Sequence, residues 1–118
     1  MILIVDDEIQ LAGLIAQSLR RKGVETITAS GGHEAFQLIQ KHQIKLVISD
    51  VRMADGSGTY LLEEINKNLL KIPVIFVTGF CDVPEEELLE LGAKAVLSKP
   101  INNKILFNII EQELKTSK

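Results

Sequence analysis

Residues 1–10 read MILIVDDEIQ, in which a short apolar run, Met1 to Val5, empties directly into the adjacent carboxylates of Asp6 and Asp7. Two like charges side by side repel, so folding must gain something by holding them together. The run itself is what a strand covered on both faces requires, because such a strand has no solvated side for polar residues. Runs of the same kind follow at residues 46–49, 74–77 and 95–97. A fifth candidate, residues 25–29, alternates Glu25, Thr26, Ile27, Thr28 as an edge strand does.

Helical stripes lie between these strands. Leu11, Leu14, Ile15, Ser18 and Leu19 form one, and Ala35, Leu38 and Ile39 another. Asp7 and Ser30 are the expected N-caps of these two helices, and Gly23 a C-terminal stop. Pro84 followed by Glu85, Glu86 and Glu87 fits a first turn whose acids complement the helix dipole, and Gly92 should end that helix within about two turns. A last helix runs from near Ile101 to about Lys115. Strand and helix thus alternate five times without a long linker, repeat or low-complexity tract, which predicts an α/β fold: a parallel sheet with right-handed crossovers and helices on both faces.

The composition fits one globular domain across residues 1–118, with 46% hydrophobic and 25% charged residues. A net charge of −3 and a pI near 5.4 provide no general basic surface for phosphate backbones, so direct nucleic-acid binding is not expected. The lone Cys81 cannot form an internal disulfide. The first apolar run is too short for a signal-peptide core and is followed by acids, so the expectation is a soluble, cytoplasmic domain without membrane association.

In an open parallel sheet every strand delivers its C-terminal end to one edge, where ligands bind. Here the first strand ends in Asp6 and Asp7, the third (KLVISD) in Asp50, the fourth (IPVIFVT) in Thr78 and the fifth (AVLSKP) in Lys99. Carboxylates about 4 Å apart repel by roughly 4 kcal/mol at an effective dielectric of 20, and Lys99 supplies only one compensating charge. A divalent cation would supply the rest, and an all-oxygen set with no Cys or His at the strand ends suits Mg²⁺ better than zinc. A metal and a lysine beside a carboxylate are also what a phosphoryl group needs: both neutralise its oxygens while a carboxylate oxygen attacks phosphorus in line. Asp50, at the end of what should be the central strand, is the expected nucleophile.

Taken together, DDE after the first strand, D-x-x-M with a glycine eight residues after the aspartate (DVRMADGSG), then VT and SKP, resemble the receiver domain of bacterial two-component response regulators over essentially the whole chain. The resemblance implies a doubly wound, flavodoxin-like (βα)5 sheet of strand order 2-1-3-4-5. It implies phosphorelay signalling, in which Asp50 accepts a phosphoryl group from a sensor histidine kinase or phosphotransfer protein in a Mg²⁺-dependent reaction. An output surface formed by the fourth helix, fifth strand and fifth helix would then switch toward an output domain or target protein. Asp7 would bind Mg²⁺ directly and Asp6 largely through water, with Asp50 and the backbone carbonyl of Arg52 among the metal contacts. Thr78 would hydrogen-bond the phosphoryl oxygen, Lys99 would pair with it, and the Lys99–Pro100 bond would be cis. Such a domain is a switch that catalyses its own phosphorylation and dephosphorylation, not an enzyme that turns over a metabolite.

Some positions depart from the family pattern. Ala54 stands where proline is usual, which predicts a more mobile loop. Val96 stands where an aromatic is usual, which predicts a readout through residues 79–83 and 84–91 instead of a rotating ring. Arg52 and Phe80, two residues after the aspartate and the threonine, are bulky and neither is a general base at neutral pH, so a long-lived aspartyl phosphate is expected. His33 and His42 read as solvated surface histidines, and Cys81 as an inert thiol. Two competing readings remain. A receiver-like interaction module that does not use phosphate would be marked by loss of Asp50, Asp7 or Lys99, and none is lost. A flavodoxin-like cofactor binder would set three acids against the cofactor's own phosphate.

Overall fold

The five expected strands form as β1 (Ile2–Val5), β2 (Thr26–Ala29), β3 (Leu46–Ser49), β4 (Val74–Thr78) and β5 (Ala95–Ser98). The structure, a computed structural model, describes residues 1–79 and 83–116. All strand pairs are parallel and the sheet order is β2-β1-β3-β4-β5, the doubly wound, flavodoxin-like arrangement. The helices are α1 (Ile9–Arg21), α2 (Gly32–Lys41), α3 (Gly58–Lys67), α4 (Glu85–Glu90) and α5 (Asn103–Thr116).

Because successive strand residues point to opposite faces, the sheet divides the core in two. Leu3, Val5, Val47 and Phe76 pack with Ala35, Ile39, Leu61, Ile65 and Leu88 from α2, α3 and α4. On the other face Ile2, Ile4, Ile48 and Ile75 pack with Ala12, Ile15, Leu19, Leu106 and Ile110 from α1 and α5. Every residue of β1, β3 and β4 is buried. Each large aliphatic side chain so enclosed contributes about 1.5–3 kcal/mol relative to exposure. β5 departs from the expected covering on both faces: it pairs only with β4, Ala95–Leu97 are half-buried, and Ser98 is exposed.

Several local expectations are corrected. The buried stripe of α1 is Ala12, Ile15, Ala16 and Leu19, spaced i, i+3, i+4, i+7, and Leu14 lies off it at 61% exposure. Asp7 is not the N-cap of α1. Glu8 holds that position, without a side-chain capping bond, and its N–H donates to Asp6 Oδ1 at 2.9 Å. Nor does Ser30 cap α2, whose N-cap is Gly31; the N–H and Oγ of Ser30 instead donate to Glu34 Oε1 at 2.7 and 3.1 Å. α5 starts two residues after Ile101 because Asn102 Oδ1 accepts the N–H groups of Lys104 and Ile105 at 3.0 and 3.2 Å. Gly23 does end α1, at φ 82°, with its N–H on the Arg20 carbonyl and that of Val24 on Leu19. Pro84 is the N-cap of α4, with the three acids in the first turn, and Gly92 follows its end at φ 114°.

Candidate functional site

Asp6 and Asp50 leave neighbouring strands in register, since β1 and β3 pair from Ile2 opposite Leu46 to Val5 opposite Ser49. Asp6, Asp7 and Asp50 each offer an oxygen within 4.8 Å of the others. Asp6 is buried, Asp50 is half-buried and Asp7 is exposed. Asp50 is fixed by neighbouring groups: its Oδ1 accepts the Val51 N–H at 2.7 Å, and Ser49 Oγ donates to the Asp50 carbonyl at 2.7 Å. Gly58 N–H donates to the Val51 carbonyl at 2.8 Å. A Cβ on Gly58 would collide with the Asp50 carbonyl and lie 2.7 Å from the Phe76 ring. The spacing of eight residues between Asp50 and this glycine thus has a steric cause, since only a residue without a side chain lets α3 start against the backbone of Asp50.

Lys99 arrives from the other side. Its N–H donates to the Thr78 carbonyl at 2.9 Å, its stem lies against Gly79, and the Lys99–Pro100 peptide is cis. Its Nζ lies 3.1 Å from Asp6 Oδ2, 3.1 Å from Asp50 Oδ2 and 3.4 Å from Glu8 Oε1. The Glu8 contact was missed in the sequence. The third letter of DDE was the available signal, an acid one residue beyond the pair at the same edge. Burial raises the pKa of Asp6; the Glu8 N–H and the Lys99 ammonium pull it down by less, and the Asp50 charge adds to the rise. Burial also pulls Lys99 down, but its hydrogen bonds to Asp50 and Asp6, and their charges, more than offset this and hold its pKa above the ordinary lysine value.

Three carboxylates therefore share one ammonium. The cluster offers only oxygens, which fits a small hard cation such as Mg²⁺. Thr78 is buried at the end of β4, and Arg52 is exposed in the loop of residues 51–57 that leaves Asp50. The loop that carries Ala54 is joined to α2, where the Gly56 and Asp55 carbonyls accept the N–H groups of Gly32 and His33 at 2.8 and 3.2 Å. His33 is exposed on the surface, as expected, and its Nδ1 lies 3.0 Å from Asp55 Oδ1 while its ring packs edge-on to Tyr60, which ties it to the loop. His42 is exposed, as expected. Phe80 and Cys81 lie outside the described residues.

The family model described as response regulator receiver domain matches residues 2–111. The chain belongs to this family, and so is a receiver domain of phosphorelay signalling, a switch. It is 32% identical over 117 residues to the transcriptional regulatory protein GlrR of Escherichia coli K12, covering 98% of this chain and 26% of that protein. Over 115 residues it is 36% identical to the sensor histidine kinase RcsC of the same organism, covering 97% of this chain and 12% of the kinase. The chain thus spans only about a quarter of the first relative's length and about an eighth of the second's. Among solved structures, the signal receiver domain of a putative Luxo repressor protein from Vibrio parahaemolyticus superposes with a TM-score of 0.92 at 31% identity, covering 98% of this chain and 90% of that one.

Proposed function

We propose that residues 1–118 act as one phospho-acceptor unit in which Asp50 takes a phosphoryl group from the phosphohistidine of a sensor histidine kinase or phosphotransfer protein. The observation that carries this reading is the position of Lys99 Nζ, 3.1 Å from both Asp6 and Asp50, in a cluster whose three carboxylates one ammonium cannot balance. With Oδ1 of Asp50 held by the Val51 N–H, Oδ2 on the Lys99 side is the attacking atom. The new O–P bond forms as the donor's N–P bond breaks, and the imidazole leaves with the electron pair. Lys99 then pairs with a phosphoryl oxygen and the Thr78 hydroxyl donates to another. Asp7 directly, Asp6 largely through water, Asp50 and the Arg52 carbonyl would hold Mg²⁺, which when bound supplies the positive charge that phosphoryl oxygens require. Arg52, bulky and without a basic lone pair, favours a long-lived aspartyl phosphate.

The donor would approach over the start of α1, whose first residue Ile9, directly after Glu8, is 75% exposed, with Leu14 further along the helix 61% exposed. The α4–β5–α5 face would meet an output domain or target protein. A cytoplasmic location belongs to the same reading. Among the described residues no helix is long and apolar enough to cross a membrane. With Mg²⁺ and acetyl phosphate the intact mass should rise by one phosphoryl group, about 80 Da, and Asp50→Asn should abolish the rise. An Asp50→Asn chain labelled as fully as the parent would sink the assignment of Asp50, whereas no label on either chain would favour the phosphate-independent interaction module.

A further inference from the structure

A lysine ammonium has three N–H donors, and Lys99 Nζ lies within reach of three carboxylates, Asp6 and Asp50 at 3.1 Å and Glu8 at 3.4 Å. The three partners are unequal. The side chains of Asp6 and Asp50 are 7% and 12% exposed, whereas that of Glu8 is 68% exposed and makes the longest contact. Until the O–P bond forms Asp50 Oδ2 keeps its place on Lys99, so a phosphoryl oxygen arriving at the ammonium must first displace Asp6 or Glu8. Asp6 is buried and also holds the Glu8 N–H, so releasing it would strand a buried charge. Glu8 alone can turn out into water at little cost.

We propose that Glu8 sets the donor specificity of this site: its carboxylate occupies the third N–H of Lys99, the place an incoming phosphoryl oxygen must take, and so disfavours small free anionic donors. This rests on the acceptor reading of Asp50. A phosphoryl group presented on a docked protein is held at high effective concentration against Lys99 and displaces Glu8 readily. A free acyl phosphate must displace it at its own concentration, against the repulsion of an exposed carboxylate on the open side of the site. In the free-donor reaction an Asp50 oxygen forms the bond to phosphorus while the P–O bond to acetate breaks, and acetate leaves with the electron pair. Glu8 touches neither reacting atom; it acts through Lys99.

The side chain of Glu8 makes no capping bond to α1, so replacing it leaves the helix start intact. The chain has no tryptophan, so intact mass after acid quench is the natural readout. The parent, Glu8→Ala and Glu8→Asp chains would be labelled across a range of acetyl phosphate concentrations at saturating Mg²⁺. Glu8→Ala and the shorter Glu8→Asp both lose the contact, and both should label about two- to fivefold faster, the size of an exposed ion pair. That advantage should shrink at high salt, which screens an ionic contact but not a purely structural one. Variants no faster than a parent that does label would overturn the role of Glu8 while leaving the acceptor reading intact. So would a Glu8→Asp chain matching the parent, because charge without contact would then suffice. If none of the three chains took a label, both readings would fall.

Discussion

β1 and β3 reach the carboxyl edge with every residue buried and deliver Asp6 and Asp50, whereas β5, which delivers Lys99, reaches the same edge half exposed. The helices differ in the same sense. α1 and α3 each bury four residues, while α4 has six residues in all and buries only Leu88. Asp6 and Asp50 are thus set by strands buried along their whole length, and the lysine by an edge strand that pairs on one side only and is half exposed. A group on Asp50 that draws Lys99 toward itself would therefore move the lysine's side of the sheet and leave the acids where they are. The same residues that make the chemistry reproducible are too well packed to report it.

The harshest test of that asymmetry is Lys99→Ala. It removes the one cation from the cluster without touching the packed side, so Mg²⁺-dependent labelling of Asp50 should fall by about a hundredfold or more, the usual cost of losing a charged stabilising group. The fold should survive, with stability lower by about 1–3 kcal/mol in EDTA because Asp6 loses its buried partner. Labelling near the parent rate would mean that the acids act without the lysine, and the contrast between the two sides would lose its chemical meaning.

Asp6→Asn probes the packed side and should have a smaller effect of opposite sign. Burial raises the Asp6 pKa, so the folded chain holds that proton more tightly than the unfolded one. Its contribution is fully present below the unfolded value and falls as pH rises through the raised folded value. Asparagine has no proton to lose. In EDTA at neutral pH the variant should melt a few degrees above the parent. Added Mg²⁺ should narrow or reverse the gap, because the parent gains binding free energy that the variant gives up. A lower melting temperature in EDTA would show that the Glu8 and Lys99 contacts outweigh burial.

The strands and the convergence of Asp6, Asp7, Asp50, Thr78 and Lys99 on one edge were legible because apolar runs and their terminal residues are local features, and a parallel sheet fixes where strand ends go. The caps were less legible. Asp7 and Ser30 have the right chemistry for capping, but Asp6 and Glu34 take the neighbouring N–H groups from positions that propensity does not weigh. Glu8 reaching Lys99 spans 91 residues of sequence and depends on a side-chain direction that no periodicity records. The fastening of the loop after Asp50 onto α2 was likewise invisible. It rests on backbone carbonyls of Asp55 and Gly56 and on a close approach at Gly31, where a Cβ would strike the Asp55 carbonyl.

The subtlest consequence concerns how the lysine's side reports the phosphoryl group. Val96 lies on β5, half-buried against the core, and a β-branched side chain with one stiff χ1 cannot sweep a ring between buried and exposed positions. What can respond is the segment of residues 84–91, held by the buried Leu88 and, at its end, by half-buried Leu91, whose carbonyl accepts the Asn66 side-chain N–H at 2.8 Å, while Glu86 and Glu90 are exposed toward any partner. Beryllofluoride with Mg²⁺, as a stand-in for the phosphoryl group, should therefore change amide exchange a few-fold across residues 84–91 while leaving β1 and β3 as they were. The measurement is hydrogen exchange by mass spectrometry with and without both reagents. If protection changed only around Asp6, Asp50 and Lys99, the lysine would be moving alone, and the signal would have to leave the site by another face.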